Sequence, residues 1–213
     1  SEAYYIPFPK EKEAADKILT LLQPVFEAED ILKIGQNIKY DILVLMNYGV
    51  TVKGKLYDTM LAHYLIEPEG KHSMDWMAEQ YLHYKPVSIE SLIGKKGKNQ
   101  GNMRDVDPDE VVPYASEDAD ITLQLKTKLD PLLKENQLEK LLNDVESPLI
   151  EVLAAMEFEG VKIDTESLKE MSIALEKESR EIEEKVYEMA GETFNLASPK
   201  QLGDKLFNKL ALD

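Results

Sequence analysis

The sequence predicts an α/β fold followed by an all-helical segment. In the first part of the chain, short apolar runs alternate with stretches whose apolar residues recur at helical spacing, which is the order of an α/β layer fold. After residue 145 only helical patterns remain. With 213 residues, 43% of them hydrophobic, the chain can bury one core and part of a second. We therefore expect one domain over residues 1–145 and the start of another over residues 146–213.

The predicted strands are short apolar runs that end at a proline, a glycine or a polar residue. They cover residues 3–8, 31–34 and 50–52. Sheets commonly contain about four to six strands. The low number indicates that part of the sheet lies outside this chain.

The predicted helices are stretches with apolar residues three and four positions apart. They cover residues 11–29, 38–48, 59–66, 74–83, 88–94 and 108–136 in the first domain, and 148–159, 165–190 and a helix starting at Ser198-Pro199 in the second. Asn37 precedes the second helix and is predicted to cap it. A basic, glycine-rich loop over residues 94–102 precedes the longest helix.

Composition restricts the chemistry that the chain can perform. There is no cysteine, so disulfides and thiolate metal sites are excluded, and a metal ion would need carboxylates or the three histidines as ligands. Oxygen ligands favour Mg²⁺ or Mn²⁺. No apolar run approaches the ~20 residues of a membrane span, which predicts a soluble, cytoplasmic protein.

The net charge of −16 argues against a surface built as a whole to bind nucleic acid, since affinity for phosphates comes from clustered Lys and Arg. A total charge does not describe a local groove, however. Acidic residues on remote helices count equally in it, so a small basic region can still bind DNA.

The first polar motif follows the predicted strand over residues 31–34. It reads Gly35-Gln36-Asn37-Ile38-Lys39-Tyr40-Asp41. A helix that starts there places Asn37 and Asp41 one turn apart at the carboxyl edge of the sheet, where α/β proteins bind ligands. The alternative is structural: Asn37 caps the helix and Asp41 complements its dipole.

The second motif, Tyr114-Ala115-Ser116-Glu117-Asp118, lies near the start of the long helix. Tyr114 and Asp118 are four residues apart and share one helical face. The hydroxyl can orient a water molecule while the carboxylate holds a metal ion. The alternative is again structural, namely acidic residues that complement the dipole at a helix N-terminus.

Together, N-x-x-Y-D followed by Y-x-x-x-D resembles the second and third exonuclease motifs of the DEDD proofreading nucleases. The flanking stretches KIGQNIKYDILVLMNYGV, LYDTMLAHYL and YASEDADITLQL resemble bacterial family A DNA polymerases, the DNA polymerase I family. The stretches EVLAAMEFEGVKID and FNLASPKQL resemble the entry into the polymerase domain and its thumb. The resemblance covers nearly the whole chain.

The resemblance implies a ribonuclease H-like DEDD exonuclease fold that lacks its first strands here. It implies that Asp41 and Asp118 bind metal in a two-metal site using Mg²⁺ or Mn²⁺, and that Tyr114 positions the attacking water. The predicted contacts to DNA are Gln36, Asn37, Tyr40, Lys98, Asn99 and Gln100. The implied partners are the frayed, single-stranded primer 3′ end and the rest of the polymerase chain, in a bacterial cytoplasm and near the nucleoid.

The family's first motif, Asp-x-Glu, should precede Asp41, and none does so in these residues. Two of four metal-binding carboxylates would then be missing, so we expect this chain alone to hydrolyse DNA very poorly or not at all. Asp164-Thr165-Glu166 matches the Asp-x-Glu pattern, but it follows both motifs instead of preceding Asp41, and it fits a helix cap. Nothing resembles the polymerase palm, so no polymerase activity is expected.

Two other functions fit the same motifs. One is a non-catalytic nuclease-like module that supports a polymerase; the presence of Asp41, Tyr114 and Asp118 speaks against such decay. The other is a ribonuclease D-like exonuclease that acts on RNA. The thumb-like helical segment after residue 145 speaks against it.

Overall fold

The computed structural model describes residues 2–209 and forms two compact units, one up to Gly160 and one from Val161 onwards. The first unit is mixed α/β and rich in helix, and the second is helical over its described part. In the described part of the chain, no helix combines the length and apolar character needed to cross a membrane.

The α-helices and strands of the first unit follow one another along the chain. They are α1 Lys12–Phe26, β1 Lys33–Gly35, α2 Ile38–Met46, β2 Leu56–Asp58, α3 Thr59–Ile66, α4 Met74–Met77, α5 Ile89–Ile93, α6 Pro108–Glu135, α7 Glu139–Leu141 and α8 Ser147–Glu159. Short π-helical turns extend α4 and α7, over Ala78–Leu82 and Leu142–Glu146.

The sheet consists of β1 and β2, which run parallel with Ile34 opposite Tyr57 and Gly35 opposite Asp58. Helix α2 lies in the connection between them. Because the strands are parallel, both end at the same edge, and the residues that follow Gly35 come beside Asp58. This edge carries the first polar motif.

Two predicted strands are wrong. Residues 3–8 have no regular secondary structure, and Tyr4, at 80% exposed, lies on the surface. A strand exists only when a neighbour satisfies its backbone groups, and the only strand pairing among residues 2–209 is that of β1 with β2. Residues 50–52 were predicted from valines that do face the core, but their backbone is not in the sheet.

The second strand is instead β2, Leu56–Asp58, which the sequence analysis missed. It begins after a turn at Gly54, where φ is +84° and a Cβ atom would lie 2.7 Å from the carbonyl oxygen of Glu29. On β propensity alone, the two valines of residues 50–52 favour a strand more strongly than the leucine and the tyrosine of β2. Pairing with β1 decides where the strand lies, and the tight turn at Gly54 leads into it.

The predicted helices are confirmed, with ends that differ by a few residues. The capping role predicted for Asn37 is wrong. Asn37 precedes α2 with left-handed φ and ψ of 58° and 46°, and its side chain makes no capping hydrogen bond. The carboxylate of Asp58 caps α2 instead, by accepting from the backbone N–H of Ile38 at 2.8 Å.

One core cluster lies along α6, whose apolar residues face α3, α4 and β2. Its buried members are Tyr57, Ala62, Met77, Ala78, Ile121, Leu125, Leu129, Leu133 and Leu142. A second cluster joins α8 to α2 and β2 through Ile38, Ile42, Leu56, Ile150 and Ala154. Helix α8 therefore packs within the first unit, which ends at Gly160, whereas the functional boundary at residue 145 stays a prediction.

The second unit contains α9 Thr165–Ala190 and α10 Pro199–Gly203. Asp164 caps α9, because its carboxylate accepts from the backbone N–H of Ser167 at 3.1 Å and from its hydroxyl at 2.9 Å. The Asp164-Thr165-Glu166 triplet is thus the start of an exposed helix. Ser198 caps α10 through the N–H of Gln201 at 3.4 Å.

Candidate metal and nucleic-acid site

The first motif occupies the turn between β1 and α2. Gly35 ends the strand, and a Cβ atom there would lie 2.8 Å from the side chain of Ile38, so the turn is tight. Asn37 takes the left-handed conformation that Asn tolerates better than most residues. Asn37 and Tyr40 are both exposed, as a residue that contacts a ligand must be.

Asp41 lies one turn into α2, four residues after Asn37. Its side chain is exposed on one side, while partial desolvation by the surrounding protein and the negative charge of Asp58 raise its pKa. A carboxylate with a raised pKa carries poorly compensated negative charge. A cation would lower its free energy.

Asp58 is the polar residue at this edge that the sequence analysis missed. It is 2% exposed and ends β2. Its Oδ1 accepts from the backbone N–H groups of Asn37 at 3.1 Å, Met60 at 2.8 Å and Leu61 at 3.4 Å, while its Oδ2 accepts from Ile38 at 2.8 Å. Burial raises the pKa of Asp58, and these hydrogen bonds oppose that effect.

The side-chain amide of Gln36 makes hydrogen bonds through both its oxygen and its nitrogen. Its Oε1 accepts from the hydroxyl of Thr59, which also lies 3.2 Å from the carbonyl oxygen of Gly35. Its Nε2 donates to the carbonyl oxygen of His72 at 2.9 Å. The amide of Gln36 therefore points into the protein, although Gln36 was predicted to contact DNA.

His72 belongs to an aromatic cluster behind this edge. Its Nδ1 lies 2.7 Å from Nδ1 of His63, whose Nε2 lies 3.1 Å from the hydroxyl of Tyr81. His63 is 0% exposed, and burial together with His72 lowers its pKa. A close contact between two ring nitrogens requires that one of them carries the hydrogen and the other accepts it.

The second motif is a single helical turn of α6. Asp118 hydrogen-bonds with Tyr114, which lowers its pKa, but desolvation and the charges of Glu117 and Asp75 raise it, and the net result is a pKa of about 6. Burial and the same carboxylate raise the pKa of Tyr114 to about 12. Tyr114 is thus a neutral phenol at pH 7. It can donate to Asp118 and still accept from a water molecule.

Glu117, next to Asp118, forms hydrogen bonds with the segment that precedes the basic loop. Its Oε1 accepts from the hydroxyl of Tyr84, and its Oε2 accepts from the backbone N–H of Val87 at 2.8 Å. This role was not predicted from the sequence. A glutamate between a serine and an aspartate carries no local signal of a partner thirty residues earlier.

The basic loop over residues 94–102 has no helix or strand. Lys98 and Asn99 are exposed, so both are free to contact a phosphate group. Gln100 donates from Nε2 to the carbonyl oxygen of Gly94 at 3.2 Å, and Gly101 N–H closes the loop on the carbonyl of Ile93 at 2.7 Å.

The side chains of Asp41 and Asp118 suit a hard divalent cation, because carboxylate oxygens are hard donors, and both have raised pKa values. Within residues 2–209, no three Asp, Glu or His side chains converge into a set able to hold a metal ion. That Asp41 and Asp118 bind a metal ion therefore stays a prediction.

Comparison with known proteins decides the family. A model of the family described as 3′–5′ exonuclease matches residues 1–134. A second model, described as DNA polymerase family A, matches residues 165–213. This chain belongs to the 3′–5′ exonuclease family of family A DNA polymerases. The family predicted from the two motifs is confirmed.

Curated relatives of this family A chain are bacterial. DNA polymerase I of Rhizobium leguminosarum is 40% identical over 195 residues, which is 91% of this chain and 19% of the relative. DNA polymerase I of Pseudomonas aeruginosa is 38% identical over 221 residues, which is 99% of this chain and 24% of the relative. The chain thus spans about a fifth to a quarter of the length of these relatives.

Among solved structures, the chain resembles the POL domain of Pol1 from M. smegmatis, which was solved in complex with DNA primer-template and dNTP. The TM-score is 0.73 at 26% identity, over 96% of this chain and 31% of that one. This likeness agrees with the mixed α/β, helix-rich fold of the chain.

Proposed function

We propose that residues 1–145 form a 3′–5′ proofreading exonuclease domain of ribonuclease H-like DEDD fold, which removes 3′-terminal nucleotides from single-stranded DNA, and that residues 146–213 begin the polymerase domain and its thumb. The observation that carries the proposal is the Tyr114–Asp118 pair on α6, whose carboxylate has a pKa of about 6. Perturbed carboxylates of this kind concentrate at functional sites.

Asp41 and Asp118 would hold Mg²⁺ or Mn²⁺ as oxygen ligands. When bound, such ions lower the pKa of water and stabilise both the attacking and the leaving oxygen of a phosphodiester. The remaining ligands would come from an Asp-x-Glu strand, which does not precede Asp41 in these residues. For this reason we expect the 213-residue chain alone to have little or no hydrolytic activity.

Tyr114 would orient the attacking water rather than deprotonate it. With a pKa of about 12, the phenol is neutral at pH 7 and is therefore a poor general base. Its hydroxyl hydrogen faces Asp118, so the lone pairs of its oxygen remain to accept a hydrogen bond from water. The tyrosine thus fixes the direction from which water approaches.

Asn37 and Tyr40 are exposed beside Asp41 and would contact the frayed primer 3′ end, while Lys98 and Asn99 would contact its phosphates. Gln36 and Gln100 are predicted contacts too, but their side-chain amides bond within the protein. The second partner would be the remainder of the polymerase chain. Sequence matching to DNA polymerase family A supports DNA over RNA as the nucleic acid.

The test is a hydrolysis assay with a 5′-labelled single-stranded oligonucleotide in Mg²⁺ and in Mn²⁺. The chain is compared with a version extended at its N-terminus by a strand that carries Asp-x-Glu. We expect a ladder of shortened products only from the extended version, and we expect Asp118→Ala to abolish it. Tyr114→Phe should lower the rate by about 100-fold, the size of a lost positioning contact.

Products from the unextended chain that disappear in Asp118→Ala would show that two carboxylates suffice, and the expectation of inactivity would be wrong. No products from the extended version, despite binding of the oligonucleotide, would favour the non-catalytic module. A preference for RNA over DNA of the same sequence would favour the ribonuclease D-like function.

A further inference from the structure

At the β2–α3 junction, every side-chain oxygen of Asp58 and Thr59 contacts the first motif. Both residues are buried, at 2% and 0% exposed. No salt bridge to Asp58 occurs among residues 2–209, so backbone N–H groups alone compensate its charge. A buried carboxylate is costly, and its retention in such a place calls for a structural reason.

The two oxygens of Asp58 have separate tasks. Oδ1 accepts from Met60 and Leu61 and so caps α3, as an ordinary N-cap aspartate does, and it also accepts from Asn37. Oδ2 accepts only from Ile38, the first residue of α2. One side chain thus starts two helices from neighbouring strand ends, and the start of α2 is tied to the start of α3.

Thr59 and His72 complete the arrangement through Gln36. The Thr59 hydroxyl holds the amide oxygen of Gln36, and the His72 carbonyl holds its amide nitrogen. The backbone on either side of the turn is therefore fixed at Gln36 by side-chain bonds and at Asn37 by Asp58. Between these anchors Asn37 adopts its left-handed conformation.

We infer that Asp58 and Thr59 are positioning residues for the nuclease site: they fix the Gln36–Asn37 turn and the first turn of α2, so that Asn37, Tyr40 and Asp41 face the substrate together. The part of this inference that concerns the substrate rests on the proposed function. The fixing of the turn itself is measurable without DNA. Gln36, on this view, acts through its inward bonds.

Two matched pairs of substitutions separate positioning from stability. Asp58→Asn keeps Oδ1 as the cap of α3 but presents an NH₂ group to the N–H of Ile38, where two donors cannot bond. Its control is Asp164→Asn, the same change at the N-cap of α9. Thr59→Val keeps the shape and removes the hydroxyl, whereas Thr59→Ser keeps the hydroxyl and removes a methyl group.

The first readout is amide hydrogen exchange in the 213-residue chain. In Asp58→Asn we expect exchange at Ile38 to rise about tenfold, the effect of one lost hydrogen bond, with Met60 and Leu61 changed much less. In Thr59→Val the side-chain amide of Gln36 should lose protection, and in Thr59→Ser it should keep it. Unchanged exchange at Ile38 and Gln36 would overturn the inference.

The second readout is fluorescence anisotropy of a labelled single-stranded oligonucleotide at low salt. Positioning predicts about fivefold weaker binding by Asp58→Asn and Thr59→Val, near 1 kcal/mol, with Asp164→Asn and Thr59→Ser unaffected. Equal losses in Thr59→Val and Thr59→Ser would mean that stability alone matters, against the inference. If the unsubstituted chain fails to bind the oligonucleotide, binding is measured in the version extended by the Asp-x-Glu strand; no binding there would contradict the proposed function, while hydrogen exchange still decides the positioning.

Discussion

Asp41 and Asp118 each lie four residues after a polar partner, but different parts of the protein hold the two motifs in shape. Tyr114 and Asp118 meet because both belong to the regular helix α6, where residues four apart are neighbours. The first motif as a whole spans a strand end, a left-handed residue and a helix start, and side chains from later in the chain, Asp58 and Thr59, hold that turn.

The difference shows what each kind of motif needs. A motif within a helix is complete once the helix forms, because backbone hydrogen bonds fix its spacing. A motif across a turn has few such bonds and needs anchors from elsewhere in the fold. The first motif should therefore be much more sensitive to substitutions outside itself than the second.

The largest effect should come from Asp58→Ala, which removes the acceptor for four backbone N–H groups. We expect a loss of about 3 kcal/mol in the free energy of unfolding, since buried donors are left without partners. Urea unfolding at pH 7 measures it. Asp107→Ala, the N-cap of α6, is the control and should cost about 1 kcal/mol. Equal costs would remove the distinction between the two motifs.

A smaller effect is expected at Asn37 itself. Because φ is 58° there, Asn37→Ala should lower the free energy of unfolding by about 1 kcal/mol, whereas Asn37→Gly should leave it nearly unchanged. Both variants lose the side chain proposed to touch DNA. Denaturation midpoints and oligonucleotide binding, measured together, separate the two roles; a tolerated alanine would show that the turn is not strained.

The smallest effect concerns pH and the second motif. The pKa of Asp118 in the folded chain, about 6, lies above its ordinary value of 3.8, so the folded state binds the additional proton between these values. Stability from this group is therefore present below pH 4 and is lost as the pH rises through 6. Between pH 7 and pH 5 the chain should gain roughly 0.5–1 kcal/mol relative to Asp118→Asn, allowing for partial exposure.

Urea unfolding of the two proteins at both pH values, without divalent metal, gives that difference. Because every other titrating group is common to both, the difference isolates Asp118. A gain of equal size in Asp118→Asn would mean that the carboxylate is better hydrated than its surroundings indicate. Added Mn²⁺ at pH 7 should stabilise the unsubstituted chain and not the variant.

The helices were predictable because their signal is periodic and local. The stripe of Ile121, Leu125, Leu129 and Leu133 identifies the buried face of α6 from the sequence alone, and Asp164 at the start of α9 is an ordinary N-cap pattern. The strands were less predictable, since two of three residues in β2 carry no strong preference and pairing with β1 decides them.

Asp58 makes some hydrogen bonds that local sequence patterns predict and others that they do not. The sequence Leu-Tyr-Asp-Thr before an apolar helix does indicate an N-cap, so the hydrogen bonds of Asp58 to Met60 and Leu61 could be predicted from the sequence. Its bonds to Asn37 and Ile38 were not, because they join residues about twenty positions apart. The same holds for Glu117, which bonds Tyr84 and Val87.

By itself, the sequence determined the family, the helical order and the pairing of Tyr114 with Asp118, since these depend on residue identity and on spacing along one helix. Only the tertiary structure decided which residues form the second strand, that Asn37 is a left-handed turn residue and not a cap, and that Asp58 and Thr59 hold the first motif. Hydrogen bonds between distant residues depend on which strand ends meet, and that is settled when β1 and β2 pair.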